Sequence, residues 1–547
     1  MKRTRSWVPA FVVSMLAVGA GGWFLQQGAA AQESASYRAR LLQEVQELVA
    51  ERYVEPISES ELNRMAIDGM LRELDDPYSV FIGADEADDL ELTTTGNYGG
   101  LGIRIQEVGD WVTVMGILPG TPAERQGIAT GDRIYEVEGE SARGWTADDA
   151  VEHLRGPAGE SVRLSVLRPG VRQPIELTVV REEIHVEPVV AFMVEDGIGF
   201  VRLETFSANA RAELESAIDG LRAEGARGLV FDLRANPGGL LDEGVAVSDL
   251  FLPRGAEIVE TRSRIEDQNF SFQARTDDAF PGLPIVVLVD RFSASASEIV
   301  AGALQDHDRA AVVGDTTFGK GSVQTLYQLP GGHHLKLTTA GWYTPSGRSI
   351  NRPRDAEYRL VEADVGGEGA PAVPPDTFRT EAGRTVHGGG GIEPDLVVEE
   401  PLSERERELV VALSDAALTL NQLAVQFAGS WGGSHPDLER DFEVTPAMRD
   451  AFLALLREQG VKIDRGLYDD VRSIVDPVIA SQLANYAFGE TERLRRSQEG
   501  DPQVSAAVRL LRDAETPEQL LSLVGEASRV SAGAGESSLR EAAGTSR

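Results

Sequence analysis

Three serines share the stretch Arg291-Phe-Ser-Ala-Ser-Ala-Ser-Glu298, and a lysine stands between two glycines in Thr317-Phe-Gly-Lys-Gly-Ser322. A serine acts as a nucleophile only when a base takes its proton and N–H groups receive the oxyanion that its attack creates. The apolar run Val286-Val-Leu-Val-Asp290 reads as a buried strand and Ile299 to Leu304 as a helix, so the serines fall at a strand-to-helix turn. Ser295 is the best placed, at the mouth of the helix, where first-turn N–H groups lack intrahelical partners. Ser297 would lie inside the first turn, and Ser293 nearer the strand. The same residues also fit a capping box, Ser295-Ala-Ser-Glu298, in which serine and glutamate serve each other's backbone N–H. Nucleophile and cap both stand as readings of this stretch alone.

The histidine nearest in sequence cannot be the base. His307 follows Ser295 by twelve residues, about 18 Å along an unbroken helix; Asp306 fails as a direct partner for the same reason. The remaining histidines stand alone or form the doublet His333-His334 on a predicted strand, whose side chains point to opposite faces. None has metal-site spacing such as HExxH, and no metal or cofactor is expected. Lys320 is left, with glycines on both sides that permit a tight turn carrying one amine inward. A lysine is a base only when neutral, which requires an apolar pocket or a cationic neighbour. A solvated loop lysine remains the alternative.

The elements that must position these residues can be read along the chain. Lys2, Arg3 and Arg5 precede an uncharged run from Ser6 to Gln27 and then Ala29-Ala30-Ala31, so residues 1–31 read as an export signal or retained membrane anchor. Helical spacing from Tyr37 to Glu73, broken at Pro56, predicts two short helices in an N-terminal segment over 37–92 that also holds an acidic run from Asp85 to Glu91. Short alternating segments between Gly and Pro turns predict a small β-rich domain over 93–182. Over 183–400, apolar strands alternate with helical stretches, as in a sheet covered by helices, and end in a Pro/Gly-rich arm from Arg352 to Gly391. Residues 401–528 read as a helical domain, either an assembly and adaptor surface or a simple packing layer, and 529–547 as a disordered tail.

Bulk composition narrows the classes. A chain of 547 residues needs several domains, and a formal charge of −36 repels nucleic acid and anionic lipid, which leaves the N-terminal segment as the only expected membrane contact. The absence of cysteine removes disulfides and thiolate chemistry.

Three segments taken in order, DLRANPGGLLDEGVAVSDLFLP (232–253), RFSASASEIVAGALQDHDRAAVVGDTTFGKGSVQT (291–325) and LKLTTAGWYTPSGRSI (335–350), resemble the C-terminal processing (tail-specific) proteases. These are serine peptidases with a Ser-Lys catalytic pair, and the likeness runs from about Tyr37 to Glu400. It implies Ser295 as nucleophile, Lys320 as general base and Gln324 as the residue that orients the amine. The implied oxyanion hole uses the N–H of Ala296 and one from Gly238-Gly239 in the Asn-Pro-Gly-Gly turn. Asp306 is given a part in some members; the helix-reach argument assigns it an indirect, structural one.

Tyr98-Gly-Gly-Leu-Gly-Ile103, Gly116-Ile-Leu-Pro-Gly-Thr-Pro-Ala123 and Gly131-Asp-Arg-Ile134 resemble a PDZ domain. Gly100, Leu101, Gly102 and Ile103 would be its carboxylate-binding loop, with a substrate tail added as a strand alongside Ile103 to Ile105. The loop is no nucleotide cradle, because GxxxxGK[ST] is absent. The implied fold is an α+β multidomain chain, with a PDZ-like domain before an α/β (crotonase/ClpP-like) protease core and helical segments at both ends. The implied function is an exported endopeptidase, periplasmic or at the outer face of the inner membrane, acting on polypeptides with accessible C-termini. The alternatives are an inactive PDZ scaffold that binds C-termini and, less compatible with a PDZ module, an acyl-transfer or hydratase enzyme.

Overall fold

The computed structural model describes residues 35–86, 94–168, 170–352, 354, 376–398, 402–435 and 437–544. The export segment at 1–31, most of the acidic run and most of the arm from Arg352 lie outside them. Among the described residues no single helix is long and apolar enough to cross a membrane.

Two units are distinguished. The smaller holds helices Ala35–Arg52 and Glu59–Arg72, separated at Pro56, with Ser58 capping the second by accepting from the Glu61 N–H. Strand Val80–Ile82 runs antiparallel to His334–Lys336 in the same unit. The apolar stripe Leu41, Leu42, Val45 and Leu48 on the first helix is exposed.

In the larger unit the PDZ-like domain is an antiparallel sheet ordered Ile103–Val108, Trp111–Ile117, Arg133–Val137, Ser161–Leu167, Ile175–Val180. Alternation decides which face is buried: Val162, Leu164 and Val166 point into the core while Arg163 is exposed. Helix Ala147–Leu154 is fixed by a capping box between Thr146 and Asp149. Ile103–Val108 stands at the sheet edge, paired on one side only among the described residues.

The expected protease core is a six-stranded sheet, Val189–Glu195, Ile198–Leu203, Gly228–Asp232, Ile285–Val289, Ala311–Gly314 and Leu396–Val397, parallel apart from its first strand. Its strands are apolar without alternation because both faces are covered. Ile285, Val287 and Val289 face helices Ala210–Ala223, Leu241–Asp249 and Ala296–Asp306, while Val286 and Leu288 face the opposite way.

What covers that second face divides the helical stretch expected at 401–528. Helices from Glu404 to Phe488 build a core of their own around Phe427, Phe452, Tyr468 and Ile479. Helices Glu490–Gln498, Pro502–Asp513 and Pro517–Gly544 belong instead to the protease core. Val504, Ala507, Val508 and Leu511 recur at i, i+3, i+4 and i+7 and lie on Phe200, Val230, Val286 and Leu288. A sheet with two apolar faces requires this second layer. The last helix, Pro517–Gly544, also runs into the tail expected to be disordered.

Candidate active site

The three serines at the head of helix Ala296–Asp306 are treated differently by the fold. Ser293 is buried and its hydroxyl donates to the Leu233 carbonyl at 2.8 Å; Ser297 is buried and donates to the Asn236 carbonyl at 3.0 Å. Both are pins between the helix mouth and the loop after strand Gly228–Asp232. Ser295 is half-buried and its side chain makes no cap hydrogen bond, because the Glu298 N–H goes to the Ser295 carbonyl at 2.9 Å. Its backbone lies at φ 56°, ψ −113°, a region that costs a non-glycine residue about 1–3 kcal/mol. The surrounding bonds hold this strained residue so that its hydroxyl stays available.

Two candidate oxyanion donors are unengaged among the described residues. Neither the Ala296 N–H, at the first helical position, nor the Gly239 N–H has an acceptor among the described residues. The Gly238 N–H, expected as an alternative donor, is not available: it donates to the Asn236 side-chain oxygen at 2.8 Å. That carboxamide in turn donates to the Leu203 carbonyl at 2.8 Å, and the Asn236 carbonyl accepts from the Ala294 N–H at 3.0 Å. The turn is thereby fastened to the strand behind it and to the helix mouth in front. Gly238 sits at φ 98°, and a Cβ there would lie 2.8 Å from the Ser295 Cβ and 2.9 Å from the Ala296 nitrogen. Gly238→Ala must therefore push the turn off Ser295, the candidate nucleophile, with an expected drop in kcat of about 10²-fold, to be read by steady-state kinetics on a peptide substrate.

Lys320 follows Gly319, which adopts φ 86°. The backbone around it is bonded on every side. The Gly319 carbonyl accepts from the Arg352 N–H at 2.9 Å, the Lys320 carbonyl from Trp342 Nε1 at 3.0 Å, and the Gly321 carbonyl from the Trp342 N–H at 3.0 Å. On strand Ser322–Gln328, the Gln324 amide nitrogen donates to Ser322 Oγ at 2.9 Å and Thr338 Oγ1 at 3.3 Å. This fixes the amide's orientation and leaves its Oε1 without a donor among the described residues.

The residue that sequence reasoning missed is Glu298. It supplies half of the expected capping box, accepting from the Ser295 N–H at 2.8 Å. It also accepts from Thr317 Oγ1 at 2.6 Å, the Gly319 N–H at 2.7 Å and the Lys320 N–H at 2.9 Å. One fully buried carboxylate thus ties the backbone of the candidate nucleophile to that of the candidate base. Burial raises its pKa, against the pull of these four donors. The Ser-x-x-Glu spacing was the visible signal; the bonds to a segment twenty residues downstream were not.

Asp306 lies at the other end of the helix. Its carboxylate accepts from Arg348 Nη2 at 2.8 Å and from the Ser346 N–H at 3.0 Å, and the ion pair is buried on both sides. Asp306→Ala removes the carboxylate bonded to the buried Arg348 guanidinium and is expected to cost about 3–5 kcal/mol, measured by denaturant unfolding.

In the PDZ-like loop, Gly102 has φ 79°, and a Cβ there would lie 2.4 Å from the Thr121 Cβ. The Gly102 carbonyl accepts from the Leu118 N–H and the Leu101 carbonyl from the Ala123 N–H, both at 2.9 Å. The Leu101 and Gly102 N–H groups have no acceptor among the described residues. Gly100 is held in a ladder opposite Glu182, and Ile103 opposite Ile117.

Comparison with known proteins agrees with this layout. The peptidase family S41 model matches residues 197–365, the PDZ domain model 90–167, and the model of the activating protease CtpB N-terminal domain 18–86. A carboxy-terminal-processing protease of Bartonella bacilliformis is 37% identical over 416 residues, covering 75% of this chain and 87% of that protein. A carboxyl-terminal-processing protease of Synechocystis is 38% identical over 312 residues, covering 56% and 72%. Among solved structures, a photosystem II D1 C-terminal processing protease is 31% identical, with 57% of this chain and 90% of that one covered and a TM-score of 0.34. A PDZ domain followed by an S41 domain defines a serine peptidase. Within that class, the chain belongs to the carboxy-terminal processing protease family.

Proposed function

We propose that this chain is an exported endopeptidase that captures polypeptide C-termini in its PDZ domain and hydrolyses peptide bonds with Ser295 as nucleophile and Lys320 as general base. Lys320 takes the proton from Ser295 Oγ as it bonds to the scissile carbonyl carbon. Gln324 offers Oε1 to the amine, and the N–H groups of Ala296 and Gly239 receive the oxyanion. The departing amine takes the proton from Lys320, and water then releases the acyl group by the same steps. The observation that carries this reading is the unequal use of the serines: two hydroxyls are bonded in the interior, while among the described residues the Ser295 hydroxyl makes no cap bond and the Ala296 and Gly239 N–H groups have no acceptor.

Tail capture is supported by the two free N–H groups of Leu101 and Gly102 beside an edge strand able to accept another strand. A substrate ending in a small or apolar residue is therefore expected to be cleaved faster than its C-terminal amide. Gly102→Val, which places a β-branched side chain at positive φ against Thr121, is expected to erase most of that preference. Matched free-acid and amidated peptides, compared at low concentration, provide the test; equal wild-type rates contradict tail capture. Export rests on the N-terminal segment. Mass spectrometry of the exported protein should find either Gln32 as the first residue or an intact Met1 in the membrane fraction, and a cytoplasmic Met1 form alone contradicts it.

A further inference from the structure

Helices Glu490–Gln498 and Pro502–Asp513 lie beyond the S41 match, yet the segment joining them reaches the back of the turn that carries Gly239. That turn begins at Arg234, whose guanidinium is gripped along both edges. Asp232 takes Nε at 2.9 Å and Nη2 at 3.0 Å. From the C-terminal helices, Asp501 takes Nη1 at 2.7 Å, Gln503 takes Nη1 at 3.1 Å and Gln498 takes Nη2 at 2.8 Å. Asp232 is fully buried and also lies 3.7 Å from Arg202 Nη1, so it is shared between two guanidiniums. Asp501 supplies a second carboxylate. Its other oxygen accepts from the Val504 N–H at 2.9 Å and so caps helix Pro502–Asp513.

The backbone from Arg234 leads directly to the oxyanion donors. Ala235 sits at φ 57° with its N–H donated to Asp290 Oδ1 at 3.0 Å, and Asn236 is bonded to Ala294 and Ser297 at the helix mouth. One end of the turn is thus fixed to the nucleophile's helix. The glycine end is held by the Gly238 carbonyl, which accepts from the Phe206 N–H at 3.0 Å, and the Arg234 guanidinium carries the turn's contact to the C-terminal helices.

We propose that Asp501 is a positioning residue for the peptidase reaction. Through Arg234 it sets the turn that holds the Gly239 N–H beside Ser295, so the C-terminal helices complete the active site from behind. The inference rests on the proposed roles of Ser295 and Gly239. A misplaced oxyanion donor weakens the transition state more than substrate binding.

The test uses the full chain with Asp501→Asn, since asparagine also caps helices and removes only the charge. Asp501→Ser, which caps as well, is the second variant. Rates are taken per folded molecule, so that lost protein is not read as lost kcat. Expected are a kcat at least about 10-fold lower, a KM within about twofold, and inhibition by a peptide aldehyde weakened in parallel with kcat/KM, because the aldehyde's tetrahedral adduct uses the same N–H groups. An unchanged kcat and aldehyde affinity per folded molecule, in either variant, overturns the proposal, as does a loss confined to the unfolded fraction. A wild-type chain that neither cleaves nor is labelled at Ser295 strikes at the underlying reading instead.

Discussion

Lys320→Ala is expected to retain the fold and lose about 10⁴-fold or more in kcat. The fold survives because the loop is held by its backbone rather than by the lysine side chain: Glu298, Arg352 and Trp342 bond the N–H and carbonyl groups on either side of Lys320. Activity is lost because the proposed base is removed and His307, the histidine nearest in sequence, is engaged elsewhere. His307 ends the same helix that Ser295 begins, and there its Nε2 is bonded to the Glu257 carbonyl at 2.7 Å. Lys320→Arg should fail as well, since a guanidinium does not become a neutral amine. Cleavage of an unfolded test protein, with circular dichroism as the control for folding, reads the effect. Robust cleavage by either variant removes lysine from the mechanism.

Glu298→Gln is the second large effect, although it changes one atom. Both Glu298 oxygens are surrounded by donors: Thr317 Oγ1 and the Gly319 N–H at one, the Ser295 and Lys320 N–H groups at the other. Whichever way the glutamine amide turns, its NH₂ faces two donors, and at least one backbone N–H is left buried without an acceptor. The expected cost is about 2–4 kcal/mol of stability. A fall of about 10³-fold in kcat is also expected, because the turn with NH₂ toward Ser295 and Lys320 separates nucleophile from base. Denaturant unfolding and steady-state kinetics on the same preparation measure both. A variant of wild-type activity would reduce Glu298 to a helix cap.

Local pattern and resemblance single out the candidate residues but not the bonds that distinguish them. The strand-to-helix turn, the lysine loop and the glycine turn are all short-range features, legible as runs of apolar residues and glycines. What decides among Ser293, Ser295 and Ser297 is contact with Leu233 and Asn236, some sixty residues away along the chain. The same holds for Gly238 and Gly239: their spacing is identical in kind, and only the Asn236 side chain tells which N–H is engaged. The C-terminal helices show a third limit. Their apolar stripe at Val504, Ala507, Val508 and Leu511 is visible in the sequence, yet the face it covers belongs to strands more than two hundred residues earlier. Asp501 reads there as an ordinary cap, and its second oxygen carries the contact to Arg234.

Reaction with a fluorophosphonate, followed by intact-mass and peptide mapping, tests the Ser295 assignment most directly. The wild-type chain should gain one adduct, on Ser295, and lose cleavage of a tail-bearing protein in proportion, while Ser295→Ala gains none and does not cleave. An adduct on another residue, or cleavage that persists in Ser295→Ala, would contradict it.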